Sequence, residues 1–237
     1  MKLYYMRWSP DRKGPRKIIE VNLAKLFTDS KAGTLKDESE YQRVCGTIPS
    51  ELRASGDMAL DADEQWIWFR VGKDEAMKHL PKGTKIEKNF GPRHMGAGPG
   101  GIAGINIQTG KIKYVVSVGF QVGHIQSNAW VPGQIVFCWE TGCKSPQRTW
   151  IVNSDGSGLR PHYPESPYEW VTHEVVITPM KLHFPLWGIE KFPEHPKLFR
   201  QVLMYIVLIR VMKQNGDHQV PVKNPPVLLS LILKQDK

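Results

Sequence analysis

The chain has 237 residues, a formal net charge of +9, a pI near 9.4 and three cysteines. That length holds one all-β domain or two small ones with a core that needs no staples. An odd set of thiols at Cys45, Cys138 and Cys143 excludes a disulfide framework, and Cys138 with Cys143 lacks the second cluster that a zinc site of that spacing needs.

The basic balance favours polyanionic partners. Lys and Arg are dispersed and form no nucleic-acid-binding motif, so neither nucleic acid nor a membrane is expected as a partner. The opening MKLYYMRWSPDRKG has no apolar signal region, and the longest apolar run, Val202–Ile209, is too short to span a bilayer. A cytoplasmic protein is expected, or a periplasmic one if a longer N-terminus precedes Met1.

In chain order, Lys2–Trp8 and Lys17–Leu23 read as strands around a turn at Ser9–Pro15. Ala24–Glu40 is polar and weakly periodic, a loop or short helix. The turn DADEQ leads into a strand, WIWFRV, and Asp74–Leu80 offers a helical turn. His94–Gly101, HMGAGPGG, lacks both the GK[ST] ending of a P-loop and the GxGxxG spacing, so a flexible connection is expected there. Ile102–Ile107 and Lys111–Val118 alternate around Gln-Thr-Gly as a hairpin. Ile135–Trp139, Thr149–Asn153 and Val171–Ile177 read as three more strands.

Asn106 and Asn153 each follow a strand and precede a Gly-containing turn, 47 positions apart, and Asn22 stands about twice as far upstream of Asn106. Short strands repeating every 40–50 residues or so indicate propeller blades, with a β-sandwich as the other reading. The fold class expected is all-β: an incomplete propeller over residues 1–180. Nineteen of the 21 glycines precede Met180, and the segment 181–237 keeps neither the strand rhythm nor the turn signals. It reads as an irregular, divergent tail: either it caps the open edge of the propeller, or the chain is truncated or frame-shifted near Met180.

The segments GHIQSN, WVPGQIVFCWETG, PQRTW, DGSGLRP and EWVTHE between Gly123 and Glu174, with GIAGINIQTGKIK before them, resemble the oligogalacturonate lyase family. That family shares its propeller with the TolB-like repeat proteins, and the similarity covers about Asp61–Thr178. The resemblance implies a seven-bladed fold, of which this chain would hold three to four blades. It implies β-elimination on oligogalacturonates, hence an acidic oligosaccharide partner, and a divalent metal, usually manganese; the alternative reading is a non-catalytic propeller fragment that binds an acidic saccharide or a protein.

The chemistry requires a base for the proton α to the uronate carboxylate, positive charge for the enolate, and departure of the glycosidic oxygen. A neutral imidazole suits the first task and a planar guanidinium the second. The resemblance maps the base onto His173 and a catalytic partner onto Arg148. It also makes His124, Gln126 and Asn128 candidate substrate contacts, with Gln147 and Trp170 beside them. In a purely structural role, Arg148 would pair with Glu140 or Glu165. The family's metal ligands come from later blades, so no metal role is carried onto His183, His195 or His218.

Overall fold

The computed structural model describes residues 1–88, 95–142, 145–167, 169–178, 181–183 and 186–188. The first antiparallel sheet runs in the order β1 (Lys2–Arg7), β2 (Arg16–Asn22), β3 (Gln42–Ile48). The second is a meander of β4 (Ser55–Leu60), β5 (Trp66–Val71), β6 (Ala97–Asn106) and β7 (Ile112–Phe120). The third contains β8 (Val122–Ser127), β9 (Gln134–Trp139), β10 (Thr149–Asn153) and β11 (Arg160–Pro161). Two shorter pairs follow: β12 (Glu169–Val171) with β15 (Leu186–Gly188), and β13 (Val175–Thr178) with β14 (Lys181–His183). Helices α1 (Leu23–Lys31) and α2 (Lys73–Lys78) decorate the first two sheets.

The residue pattern of the central strands shows why these sheets stack. In β5, Ile67, Phe69 and Val71 face the first sheet and meet Ile18, Cys45 and Ile48. The alternate residue, Trp68, faces the third sheet and meets Phe120, Ile135 and Phe137. In β9, Ile135 and Phe137 face the second sheet, while Val136 packs with Ile151 and Val171 on the far side. A strand apolar on both faces needs a layer on each side. Fully burying one such side chain contributes about 1.5–3 kcal/mol. Successive meanders sandwiched between neighbours in sequence order make an incomplete β-propeller of three to four blades, with a mostly antiparallel, all-β character. No described helix is long and apolar enough to cross a membrane.

Polar ties lock adjacent blades together. Asp61 is 3% exposed; its carboxylate accepts from Trp68 Nε1 at 3.2 Å and, across the blade boundary, from Gly133 N at 3.0 Å. Burial raises the Asp61 pKa, and these two donors oppose the rise. Arg43 donates to the Ile107 carbonyl at 3.1 Å, and Arg70 to that of Val122 at 3.2 Å. Asn106 and Asn153 end the third strands of neighbouring blades, as their spacing implies. Asn106 Oδ1 accepts from Gln108 N and Thr109 N. Asn22 instead caps α1 through Lys25 N at 3.0 Å, so Ala24–Glu40 begins as helix.

Two local expectations are corrected. The glycine-rich stretch is not a flexible connection: Ala97–Gly101 form the first half of β6. Glycine is needed there for close approach, since a Cβ on Gly98 would lie 1.9 Å from the Gly119 carbonyl oxygen. His94 lies outside the described residues. Val171–Ile177 is not one strand, because pairing stops at Thr172–Glu174 around His173, whose φ is +48°. Strands β3 and β8 had no clear signal in sequence. Of the expected tail, only 181–183 and 186–188 are described, and they pair with strands that precede Met180.

Candidate functional site

Where the third blade meets the segment after it, five chemistry-bearing side chains converge. His124 lies on β8 at a break in register between Gly123 and Gln126, with φ +47°. Gly123 lets the bulge close, since a Cβ there would meet Glu140 Cβ at 2.7 Å. Cys138 and Glu140 come from the end of β9, and Arg148 immediately precedes β10. Glu174 follows His173 in the break between β12 and β13. Left-handed backbone at a non-glycine residue costs on the order of 1–3 kcal/mol and persists only where the surroundings hold it. Both His124 and His173 adopt it.

The cluster is a charge-balanced quartet. His124 Nε2 lies 3.0 Å from Glu140 Oε2, and Nδ1 lies 3.4 Å from Glu174 Oε1. Arg148 Nε donates to Glu174 Oε2 at 3.3 Å, and its Nη2 is 3.9 Å from Glu140 Oε2. The same Nη2 sits 3.3 Å from His124 Nδ1. Arg148 and Glu174 are each 4% exposed, and Cys138 is 0% exposed. Two cations and two carboxylates cancel, which is the condition under which charges tolerate such burial.

Hydrogen bonding to Glu140 and Glu174 raises the His124 pKa to about 10. The same bond to His124 lowers Glu140 to about 2. Burial alone would raise Glu174; the His124 ring and the Arg148 guanidinium outweigh it and hold the carboxyl below its usual range. Burial pushes the Cys138 thiol well up, against the pull of Arg148.

The residues singled out from sequence fall into different places. Arg148 sits in the quartet; its backbone N–H donates to Glu165, the carboxylate that also receives Thr149 N. Both structural partners named for Arg148, Glu140 and Glu165, are thus engaged, one by side chain and one by backbone. His124 spends both ring nitrogens inside the quartet. Gln126 Nε2 donates to the Glu174 carbonyl and helps hold the break beside His173. Asn128 is 2% exposed and builds a turn, donating to Gln134 Oε1 at 2.7 Å and accepting from Trp130 N at 3.1 Å. Gln147 ties its loop together, donating to the Tyr163 carbonyl at 2.8 Å and accepting from Glu165 N at 3.1 Å. Trp170 is half-buried on β12, and its Nε1 is buried with no hydrogen-bond partner among the described residues. His173 is exposed, and among the described residues its side chain makes no hydrogen bond or ion pair.

Glu174 and Cys138 were not picked out in sequence. One signal for Glu174 existed, its position beside His173 in the THE triplet; Cys138 looked like an ordinary buried thiol.

His124, Cys138 and Glu174 each bring one donor atom within 4.8 Å of the others, the sole such group among the described residues. This set does not fit manganese. Manganese prefers hard oxygen donors with imidazole, whereas one of three donors here is a thiol, and a guanidinium shares the space.

No protein-family profile and no curated protein matches the chain. Among solved structures, the chain is similar to an oligogalacturonate lyase in complex with manganese, with a TM-score of 0.52 and 16% identity over 77% of this chain and 46% of that one. A second similar structure, the oligogalacturonate lyase from Vibrio parahaemolyticus, gives a TM-score of 0.47 and 17% identity over 72% of this chain and 42% of that one. TolB from Acinetobacter baumannii aligns with a TM-score of 0.26 and 11% identity. The chain spans less than half the length of either lyase it resembles. At this identity the first likeness shows the fold: a propeller of the lyase type.

Proposed function

We propose that the chain carries the site of an oligogalacturonate lyase acting by β-elimination. The observation that carries this reading is the contact between Arg148 Nε and Glu174 Oε2 at 3.3 Å. It joins the PQR and THE segments, 26 residues apart, and sets His173 at the solvent edge of a buried, charge-fixed cluster. The fold likeness to a lyase supports the same reading.

In this mechanism the His173 imidazole accepts the C5 proton of a uronate. The C–H electron pair forms the C4–C5 double bond as the C4–O bond breaks, and the oxygen leaves with its electron pair. Negative charge delocalises onto the carboxylate during the step. Arg148 is the cation available to it: Nε and Nη2 face Glu174 and Glu140, while Nη1 has no protein partner among the described residues. Glu174 holds the guanidinium in place, and His124 keeps Glu174 ionised. A divalent ion, manganese by the likeness, would add Lewis-acid stabilisation; its ligands would lie outside the His124–Cys138–Glu174 cluster.

The test is incubation of the chain with oligogalacturonate, with and without added Mn2+, following the absorbance of the unsaturated 4-deoxy product. A metal-stimulated rise that His173→Ala lowers about 10²–10⁴-fold supports the role of the base. No product at any metal concentration removes the proposal. One observation favours a second reading, a propeller that binds an acidic saccharide without turnover: Arg148 is 4% exposed inside a cluster with no net charge. Binding without product would select it.

A further inference from the structure

The His124–Cys138–Glu174 cluster has features that the elimination chemistry does not use. Elimination needs no thiol, yet Cys138 Sγ is held inside the quartet, fully buried, 3.8 Å from Glu140 Oε2. The two oxygens of Glu174 are differently employed. Oε2 accepts from Arg148, whereas Oε1 is buried and, among the described residues, meets only His124 Nδ1, in a long contact of 3.4 Å. A carboxylate oxygen whose one contact is that long, in a side chain with 0% exposure, has room for a closer ligand. It points at the same small space as the thiol and the imidazole.

The separations suit an ion. Two donors at about 2.0–2.1 Å from a tetrahedral centre lie roughly 3.3 Å apart. The Nδ1–Oε1 distance is 3.4 Å. The second ring nitrogen of His124 faces Glu140 at 3.0 Å. That completes the carboxylate–histidine arrangement that orients metal-binding imidazoles and fixes which nitrogen is left for the ion.

We propose that His124 Nδ1, Cys138 Sγ and Glu174 Oε1 form a binding site for a thiophilic divalent cation of the zinc class. One thiolate, one imidazole and one carboxylate match zinc or cobalt(II) and disfavour manganese or magnesium. Metal binding expels a proton from His124 and one from Cys138, so one divalent ion replaces two protons and the charge of the cluster is unchanged. Arg148 Nη2 must leave His124 Nδ1, while its Nε keeps Glu174 Oε2, an oxygen the metal does not use. Cysteine spacing carries no sign of this site, because Cys138 meets His124 and Glu174 across strands. The site stands independently of the lyase reading.

The test uses the full chain with Cys45→Ser and Cys143→Ser, which leaves Cys138 as its sole thiol. Titration with CoCl2 is expected to give a thiolate-to-cobalt charge-transfer band that saturates at one ion per chain. One equivalent of Zn2+ removes the band, and an excess of Mn2+ of about a hundredfold leaves it. Circular dichroism confirms the fold throughout. Absence of the band from the folded protein overturns the proposal, as does displacement by Mn2+ as readily as by Zn2+. The unsubstituted chain loaded with one equivalent of Zn2+ answers the question without those changes. X-ray absorption should show one sulfur and an imidazole around zinc; a shell with no sulfur, or with two or more, overturns the site.

Discussion

Arg148→Met isolates the quartet's energetics. Methionine keeps most of the buried stem of the side chain and removes the charge. Glu174, whose side chain is 0% exposed, then loses its 3.3 Å partner, and His124 must face two carboxylates alone. Breaking a buried pair on one side costs about 3–5 kcal/mol, because the remaining charge stays desolvated. The expected loss in urea unfolding is therefore about 3–5 kcal/mol, read by fluorescence and circular dichroism with coincident transitions. Adding Glu174→Gln removes the orphaned charge, so the double variant should lose less than the sum of the singles, with a coupling of about 1–3 kcal/mol. A single-variant loss under about 1 kcal/mol, or strict additivity, would refute the quartet as a buried unit.

Stability should also follow pH through this cluster. His124 is raised from 6.5 to about 10, so its contribution is full below pH 6.5 and fades as pH rises through 10. Glu140 is lowered from 4.5 to about 2, so its contribution is full above pH 4.5 and fades as pH falls through 2. Thermal midpoints should peak between these limits, and His124→Gln should flatten the alkaline arm; an unchanged arm contradicts the ion pairing. Asp61→Ala should cost about 1–3 kcal/mol for each donor it orphans, Trp68 Nε1 and Gly133 N, measured by chemical unfolding. A near-neutral result would mean that Asp61 does not tie the two blades. Oligogalacturonate binding should weaken with added salt. Equal affinity for a neutral galactose oligomer would remove charge from the account.

Much of the blade structure is legible in sequence because both-face burial leaves a mark. WIWFRV and Thr149–Asn153 coincide with β5 and β10. The first half of β6 was not legible, since glycines carry no side-chain alternation and their role, backbone contact with β7, is a tertiary fact. The break at His173 was hidden for a related reason: a histidine with φ +48° has no local cue, unlike a glycine. At the site, Arg148 and its link to Glu140 could be anticipated. The convergence of His124, Cys138 and Glu174 could not, because a bulge in β8 and the break before β13 bring them together. Asn128 and Gln147 looked like polar groups on a binding face, and their side chains build turns and loops.

Elimination by His173 can be read from proton NMR of the products of oligogalacturonate after incubation with the unsubstituted chain and with His173→Ala. Elimination places a vinylic proton at C4 of the new non-reducing end, and that signal should grow with the unsubstituted chain and be nearly absent with the variant. New reducing ends without a vinylic signal, or equal vinylic growth with a folded His173→Ala protein, would contradict the account.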